Sequence, residues 1–152
     1  MKKKVIIYTS YHQRNTFNLL QASLPIEEYT WVNLLRGEEK NLALNHFDVV
    51  ILGSGIYYGK MHKRLLAFIA AQKEELASKT LALVITAGKT PEHYQRRVKR
   101  YLKRLKLPSH RVYACLGYDT FGPLRLIGGI NKGRPNEEDK ERLSAFIKTY
   151  DL

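Results

Sequence analysis

The chain has 152 residues, 44% of them hydrophobic, which is enough for one domain with a full core and too apolar for a disordered segment. A single cysteine, Cys115, excludes an internal disulfide and a cysteine-based metal site, and the five histidines lack metal-ligand spacing, so no metal is expected. The net charge of +12 indicates attraction to an anionic partner.

Short β-branched runs alternate with amphipathic segments through the first half of the chain. The first strand is predicted in KKVIIYTS, and the first helix follows in NTFNLLQASL. The second strand is predicted in YTWVNLL, and the polar residues 36–45 are expected to form a short helix or a loop. The third strand, DVVILGSG, ends in glycines and precedes a helix predicted in MHKRLLAFIAAQKEEL.

The same alternation continues in the second half. A buried strand is predicted in TLALVITAG, and a basic helix follows it, with Thr90 as the N-cap and Pro91 as its first residue. A fifth strand is predicted in HRVYACLGY. Residues 117–135 are expected to form a loop punctuated by glycine and proline, and Asn136 is expected to cap the last helix.

This order of strands and helices implies right-handed crossovers and a parallel sheet covered on both faces. The sequence therefore predicts a single α/β domain, residues 1–152, with five parallel strands in the order 2-1-3-4-5. Ligands of such sheets bind beyond the carboxyl ends of the strands, where the strand order reverses, which here is between strands 1 and 3. The segments that follow strands 1, 3 and 4 thus form the candidate site.

The segment after strand 1 has the chemistry of a phosphate site. Hydroxyl and amide side chains and one arginine lie there at the N-terminus of a helix, and no carboxylate accompanies them. We expect a phosphate monoester to bind there, with an ordinary polar N-cap turn as an equal alternative. The candidate residues are Ser10, Tyr11, His12, Gln13, Arg14, Asn15 and Thr16.

The segment after strand 3, GSGIYYGK, is not a phosphate fingerprint. Position 58 is Tyr where G-x-G-x-x-G requires glycine, and the G-x-S-x-G and G-K-[ST] motifs are absent too. Flexible backbone beside two tyrosines favours a flat aromatic ligand stacked on a ring, with two surface tyrosines in a turn as the alternative. The candidate residues are Ser54, Gly55, Ile56, Tyr57, Tyr58 and Gly59, joined by Thr86, Ala87, Gly88 and Lys89 after strand 4.

A phosphate pocket next to a slot for a flat ring describes flavin mononucleotide (FMN). Three segments, IIYTSYHQRNT, FDVVILGSGIYYGKMHKRLLAFI and VITAGKTPE, resemble the flavodoxin-domain family and, more narrowly, the menaquinone-dependent protoporphyrinogen dehydrogenases. The resemblance implies a flavodoxin-like three-layer sandwich that binds the FMN phosphate at Ser10–Thr16 and the isoalloxazine at Ser54–Gly59 and Thr86–Lys89. It also implies an FMN-dependent oxidoreductase or electron-transfer protein, with a redox partner or a quinone or porphyrinogen as the second reactant. No catalytic residue is assigned.

Three features depart from that resemblance. Arg14 occupies a position that is usually glycine in the family, and the chain is basic where electron-carrier flavodoxins are acidic. The segment DTFGPLRLIGGINKGRP is shorter than its counterpart in the protoporphyrinogen enzymes. These departures concern how the phosphate is held and which second reactant fits.

The positive charge is concentrated in the helix predicted after Pro91. Arg96–Lys106, RRVKRYLKRLK, holds seven cations and no anion. This pattern is typical of a solvated helix face. It is also typical of a surface that docks to an anionic membrane or an acidic protein. Nucleic acid is the alternative partner, in a polyanion-binding domain without a redox role. It is disfavoured because the aromatic residues of this helix lie on the inward stripe and no nucleic-acid motif occurs.

The apolar runs of the chain are short. The run Val5–Tyr8 that follows the N-terminal lysines is too short for a signal peptide, and no later segment is long and apolar enough for a membrane span. We therefore expect a cytoplasmic protein. If the basic helix docks to a membrane, the protein would lie against the inner face of the cell membrane.

Overall fold

The computed structural model describes residues 1–10, 15–119 and 122–152. The strands are β1 (Lys4–Thr9), β2 (Tyr29–Asn33), β3 (Val49–Tyr57), β4 (Lys60–Met61), β5 (Thr80–Ala87) and β6 (Val112–Leu116). The α-helices are α1 (Asn15–Ser23), α2 (Lys63–Ala71), α3 (Lys73–Ala77), α4 (Pro91–Arg104) and α5 (Glu137–Thr149). All five predicted parallel strands are present.

The parallel strands lie in the order β2-β1-β3-β5-β6, and each adjacent pair on this path is parallel. This is the predicted order 2-1-3-4-5, because β5 and β6 are the fourth and fifth parallel strands. The flavodoxin-like α/β fold class is therefore confirmed. The predicted strand count was one short, since β4 pairs antiparallel with the end of β3 through Ile56 and Met61 and makes the sheet six-stranded.

The core consists of one apolar cluster on each face of the sheet. Alternate residues of β1 divide between them: Val5 and Ile7 pack with α2, α3 and α4, whereas Ile6 packs with α1 and α5. Both faces of β1, β3 and β5 are buried, which explains why their sequences are nearly continuous apolar runs and do not alternate with polar residues. Helices cover both faces, as expected.

The connection between β2 and β3 contains no α-helix. Residues of this connection form three short 3₁₀ helices, Leu34–Arg36, Glu38–Asn41 and Leu44–His46. Leu34 and Leu44 are buried, and they close the core at this point. The polar sequence between them leaves too few apolar residues to bury a longer helix against the sheet.

The helix predicted from Met61 is divided. Met61 belongs to β4, so the helical part begins at Lys63, and a break at Gln72 separates α2 from α3. Backbone hydrogen bonds continue across the break, from Gln72 N to Phe68 O and from Leu76 N to Gln72 O. The two helices therefore keep one buried face, as the periodicity predicted.

The predicted ends of the last two helices are largely confirmed. Asn136 caps α5 in a capping box with Asp139. Thr90 is the N-cap of α4 and Pro91 is its first residue, but the Thr90 side chain makes no capping hydrogen bond, because its backbone is left-handed (φ 40°, ψ 60°).

The loop after β6 contains a 3₁₀ helix, Gly122–Ile127. Among the described residues, no helix is long and apolar enough to cross a bilayer.

Candidate functional site

A cleft opens at the carboxyl edge of the sheet, where four parallel strands end. Its walls come from the segments that follow β1, β5 and β6 and from the last residues of β3 together with the turn after it. It lies at the point where the strand order reverses, since β2 and β3 flank β1 on opposite sides. The lining residues are Ser10, Asn15, Thr16, Gly55, Ile56, Tyr57, Tyr58, Thr86, Ala87, Gly88, Gly117, Tyr118 and Asp119.

The N-terminus of α1 forms one end of this cleft. Ser10 Oγ accepts a hydrogen bond from Phe17 N at 3.4 Å, and the first turn of the helix carries no acidic residue. The orphan backbone N–H groups and the helix dipole at such an end favour an anion. Tyr11, His12, Gln13 and Arg14, which the sequence placed in the same phosphate segment, lie outside the described residues.

Two side-chain contacts tie α1 to the neighbouring strand ends. The hydroxyls of Thr16 and Thr86 share a buried hydrogen bond of 2.9 Å, which joins α1 to β5. Asn15 Nδ2 donates to Tyr118 O at 2.7 Å and joins α1 to the segment after β6. The α1 end of the cleft is thus held in a fixed position relative to the strands that form its walls.

Close backbone packing explains two glycines of the cleft. A Cβ on Gly117 would lie 2.7 Å from Asn15 Nδ2, and a Cβ on Gly88 would lie 3.2 Å from Cγ of Asp119. Any larger residue would displace these side chains. At these two positions of the cleft wall, the Asp119 and Asn15 side chains therefore pack directly on the glycine backbone.

The tyrosine segment is a β-hairpin. Gly55, Ile56 and Tyr57 belong to β3, and Tyr58 and Gly59 form a two-residue turn, both with positive φ (51° and 79°), that leads into β4. The prediction of a flexible loop after Gly55 was therefore wrong, because antiparallel pairing with β4 extends β3 beyond its glycines.

The two tyrosines of the hairpin differ in position. A Cβ on Gly55 would lie 2.9 Å from Tyr57 Oη and 3.0 Å from Tyr57 Cζ, so the Tyr57 ring lies across Gly55 in the cleft. Tyr58 is 86% exposed at the tip of the turn. Of the pair, Tyr57 therefore offers a ring inside the cleft, and Tyr58 offers one at its rim.

Three of the predicted site residues do not line the cleft. Ser54 is buried, where its Oγ donates to Gly55 O at 2.7 Å and accepts from His62 N at 3.0 Å, so it joins the hairpin to α2. Gly59 lines a neighbouring cleft, and Lys89 is exposed.

Sequence analysis missed the segment after β6. Gly117, Tyr118 and Asp119 line the cleft, and Asp119 is fixed there by two backbone hydrogen bonds with Ile130, of 2.9 and 2.8 Å. A signal was present: HRVYACLGY was predicted as a parallel strand, and its carboxyl end must reach the same edge as those of its neighbours. Only the segments after strands 1, 3 and 4 were considered.

His62 connects the hairpin to α2. Its Nδ1 accepts a hydrogen bond from Arg64 N at 3.0 Å and so caps the helix, while its ring meets Tyr57 edge-on at 5.9 Å. Burial lowers the pKa of His62, and the charges of Lys63 and Arg64 lower it further. Neutral His62 is the capping form, because protonation of Nδ1 removes the acceptor.

This cap gives a testable pH dependence. The pKa of His62 is lower in the folded protein than the unfolded value of about 6.5, so the cap's contribution is fully present above 6.5 and is lost as pH falls from there through the folded pKa. Asn is also a good N-cap but does not titrate. Between neutral and mildly acidic pH, we expect the free energy of unfolding to fall by up to about 1 kcal/mol more in the wild type than in His62→Asn. Urea denaturation across this pH range measures both proteins, and parallel curves would contradict the assignment.

Cys115 has no reactive character. It is buried in β6, and burial raises the pKa of its thiol to about 12. The thiol therefore stays protonated near neutral pH, as expected of a packed core residue.

Comparison with known sequences identifies a family and a relative. The family model described as a flavodoxin domain matches residues 5–117 of the chain. An uncharacterized protein of Methanocaldococcus jannaschii is 30% identical over 157 residues, which cover 97% of this chain and 97% of that protein.

Solved structures share the fold. The oxidised flavodoxin 1 of Bacillus cereus has a TM-score of 0.66 and 15% identity, with 98% of this chain and 97% of that chain covered. The flavodoxin of Fusobacterium nucleatum, solved bound to flavin mononucleotide, has a TM-score of 0.60 and 15% identity, with 99% and 98% covered. At these identities the likeness concerns the fold.

Proposed function

Because the chain belongs to the flavodoxin-domain family, we propose that it binds FMN in the cleft at the carboxyl edge of the sheet and acts as a redox protein. The observation that carries this proposal is the shape of the cleft. It joins the N-terminus of α1 to a slot that is lined by Gly88 and Gly117 and holds the Tyr57 ring across Gly55.

The residues at the two ends of the cleft fit the two parts of FMN. At the α1 end, neutral hydroxyls of Ser10 and Thr16 accompany the helix N-terminus, and no carboxylate lies in the first turn to repel a phosphate. At the hairpin end, ring and backbone surfaces suit a flat aromatic system. Asp119 also lines the cleft, and its carboxylate could accept hydrogen bonds from ring N–H groups.

When bound, FMN supplies electron transfer in one- or two-electron steps, which no side chain of the chain provides. The chain's own contribution is positioning. The Thr16–Thr86 and Asn15–Tyr118 hydrogen bonds fix the phosphate end, and the hairpin carries Tyr57 and Tyr58 to the ring end. Stacking on a tyrosine ring favours one oxidation state of a flavin over another and so tunes its potential.

The more specific function that we propose is a quinone-linked dehydrogenase of the protoporphyrinogen dehydrogenase type. Its support is the similarity of VVILGSGIYYGK and VITAGKTPE to that family. A plain electron-transfer protein is the alternative. Anaerobic reduction of the FMN-loaded protein, followed by addition of a soluble naphthoquinone, separates the two: rapid reoxidation by the quinone supports the dehydrogenase, and slow reoxidation supports a carrier for another protein.

The purified protein gives the first test of FMN binding. We expect flavin absorption bands, either as isolated or after FMN is added and the excess removed by gel filtration. Protein that elutes folded but without flavin bands at micromolar FMN would refute the proposal. Binding of duplex DNA by such flavin-free protein would instead favour the polyanion-binding alternative.

Replacement of Tyr57 tests the ring end of the cleft. Tyr57→Ala removes the ring that lies across Gly55, so we expect the dissociation constant for FMN to rise about tenfold, or about 1.4 kcal/mol. Lys103→Glu, on the exposed surface of α4, is the control and should leave FMN affinity unchanged. Unchanged or tighter binding by Tyr57→Ala would mean that this ring covers the cleft and does not stack on the ligand.

We further propose that the basic segment Arg96–Lys106 docks on an anionic membrane surface, with an acidic protein as the alternative partner. Val98 and Leu102 of this segment face the core, and six of its seven cations are exposed. Among the described residues, no acidic side chain forms an ion pair with any cation of the segment. Its charge is therefore available to a partner.

Vesicle sedimentation tests the docking. We expect binding to vesicles that contain phosphatidylserine, no binding to neutral vesicles, and loss of binding at high salt. Since each basic residue near such a surface contributes about 1 kcal/mol, Lys103→Glu should weaken binding about tenfold or more. Equal binding to neutral vesicles would contradict electrostatic docking, and salt-matched DNA measures the nucleic-acid alternative.

A further inference from the structure

A second cleft lies on the other side of the hairpin, between β4, α2 and α4. Its volume is about 280 Å³, and its floor is apolar. Ile56, Met61, Leu66 and Val98 form that floor, and all four belong to the larger core cluster or pack against it. A cavity of this size and lining suits the body of a small organic molecule, such as a bicyclic ring system.

Two aromatic side chains extend the apolar surface. Tyr94 and Tyr101 lie on the same face of α4, seven residues or about two helical turns apart, and both are half-buried. Their rings are open to an occupant of the cleft as stacking or edge-on surfaces. An aromatic body gains more from this lining than a flexible alkyl chain does.

The rim of the cleft carries unpaired cations. Arg97 and Arg104 line it, also seven residues apart on α4, with Lys60 on the opposite side. Within residues 1–10, 15–119 and 122–152, no carboxylate pairs with either arginine, and the lining itself contains no acidic residue. A guanidinium beside an apolar cleft favours a carboxylate, sulfonate or phosphate group.

One arginine of the rim lies next to the hairpin turn. A Cβ on Gly59 would lie 3.8 Å from an Nη of Arg97, so the guanidinium is close to the turn. Ile56 lines both this cleft and the cleft at the carboxyl edge of the sheet. The two clefts are therefore neighbours, separated by the residues of a single hairpin.

We infer that the second cleft binds a small organic anion with an aromatic body, which inserts its ring on the apolar floor and pairs its anionic group with Arg97 and Arg104. The apolar floor and the unpaired cations are complementary to the two parts of such a molecule. A role as the second reactant, beside the flavin, rests on the proposed function. The binding itself does not.

Calorimetric titration of naphthalene-2-sulfonate into the full chain, without added flavin, tests the inference. We expect saturable binding that weakens about tenfold or more in Arg97→Gln and in Arg104→Gln, because each removes one charge-assisted contact. Arg96→Gln is the matched control: it lies on the same helix, removes the same charge and does not line the cleft. Leu66→Trp, which fills the floor, should abolish binding while the circular dichroism spectrum stays that of the wild type.

Three results would overturn the inference. They are equal weakening by Arg96→Gln, binding of inorganic sulfate as tight as that of the naphthalene compound, and binding of neutral 2-naphthalenemethanol as tight as that of the sulfonate. FMN affinity is measured on the same variants, so that failure of this inference can be distinguished from failure of the proposed function. Sulfonate binding without FMN binding refutes only the proposed function, and FMN binding without sulfonate binding refutes only the second cleft.

Discussion

Ser10→Asp is expected to weaken FMN binding about a hundredfold. Ser10 lines the α1 end of the cleft, and its Oγ accepts the Phe17 N–H bond, a contact that an aspartate can also make. The substitution thus retains the local cap and adds a negative charge where we place the phosphate. Repulsion between two unit negative charges about 6 Å apart amounts to roughly 3 kcal/mol at the effective dielectric of a protein surface, which is about a hundredfold in affinity.

The matched control is Ser10→Asn, which offers a neutral acceptor in the same position and should bind FMN within a few-fold of the wild type. Riboflavin, which has the ring system but no phosphate, provides the second control. Equilibrium titrations that follow flavin fluorescence give the dissociation constants of all three proteins for both flavins. If Ser10→Asp weakened riboflavin and FMN equally, the phosphate would not lie at the N-terminus of α1.

Asp139→Ala is expected to lower the free energy of unfolding by about 3 kcal/mol. The Asp139 side chain is 3% exposed and accepts hydrogen bonds from Nε and Nη2 of Arg134, at 2.7 and 2.8 Å. It also accepts from Asn136 N at 2.7 Å, which completes the capping box of α5. Removal leaves a partly buried guanidinium without its carboxylate and a helix N-terminus with one cap contact fewer.

Lys2→Ala is the control, because its ion pair with Asp151 is exposed and should contribute little stability. Urea denaturation of the two variants and the wild type gives the comparison. We expect the midpoint to fall for Asp139→Ala and to stay in place for Lys2→Ala. Equal midpoints for both variants would contradict the account of Asp139 as the anchor of α5.

The sequence predicted the parallel part of the fold because that part depends on local patterns. The strands β1, β3 and β5 are continuous apolar runs, which few other structures can bury on both faces. Helix α4 follows from Pro91 at its start and from a single apolar stripe, and α5 follows from the Asn136 cap. Alternation of such elements leaves little choice of topology.

The hairpin was not predicted because its turn lacks the usual signal. Two-residue turns that need positive φ at both central positions favour Asn-Gly or Asp-Gly, whereas this one is Tyr58-Gly59. A tyrosine at φ 51° is stabilised here by context, namely the antiparallel pairing of Ile56 with Met61. The buried role of Ser54 follows from the same hairpin, since its partner, His62 N, reaches it only when β4 forms.

Part of the candidate site was predictable and part was not. The rule that parallel strands end at one edge brought Ser10, Thr16 and Thr86 together from distant positions, and their contacts in the structure agree with that placement. Applied to β6 as well, it would have included Gly117–Asp119. The position of the Tyr57 ring across Gly55 could not be predicted from the sequence. It depends on a side-chain rotamer within a hairpin that the sequence pattern did not predict.

The central claim, that the cleft at the carboxyl edge binds FMN, is tested most directly by titrating FMN into flavin-free protein. Flavin fluorescence reports the bound fraction. We predict one FMN bound per chain, with a dissociation constant in the micromolar range or below and weaker binding of riboflavin. Folded protein that shows no saturable binding of FMN at these concentrations would contradict the account.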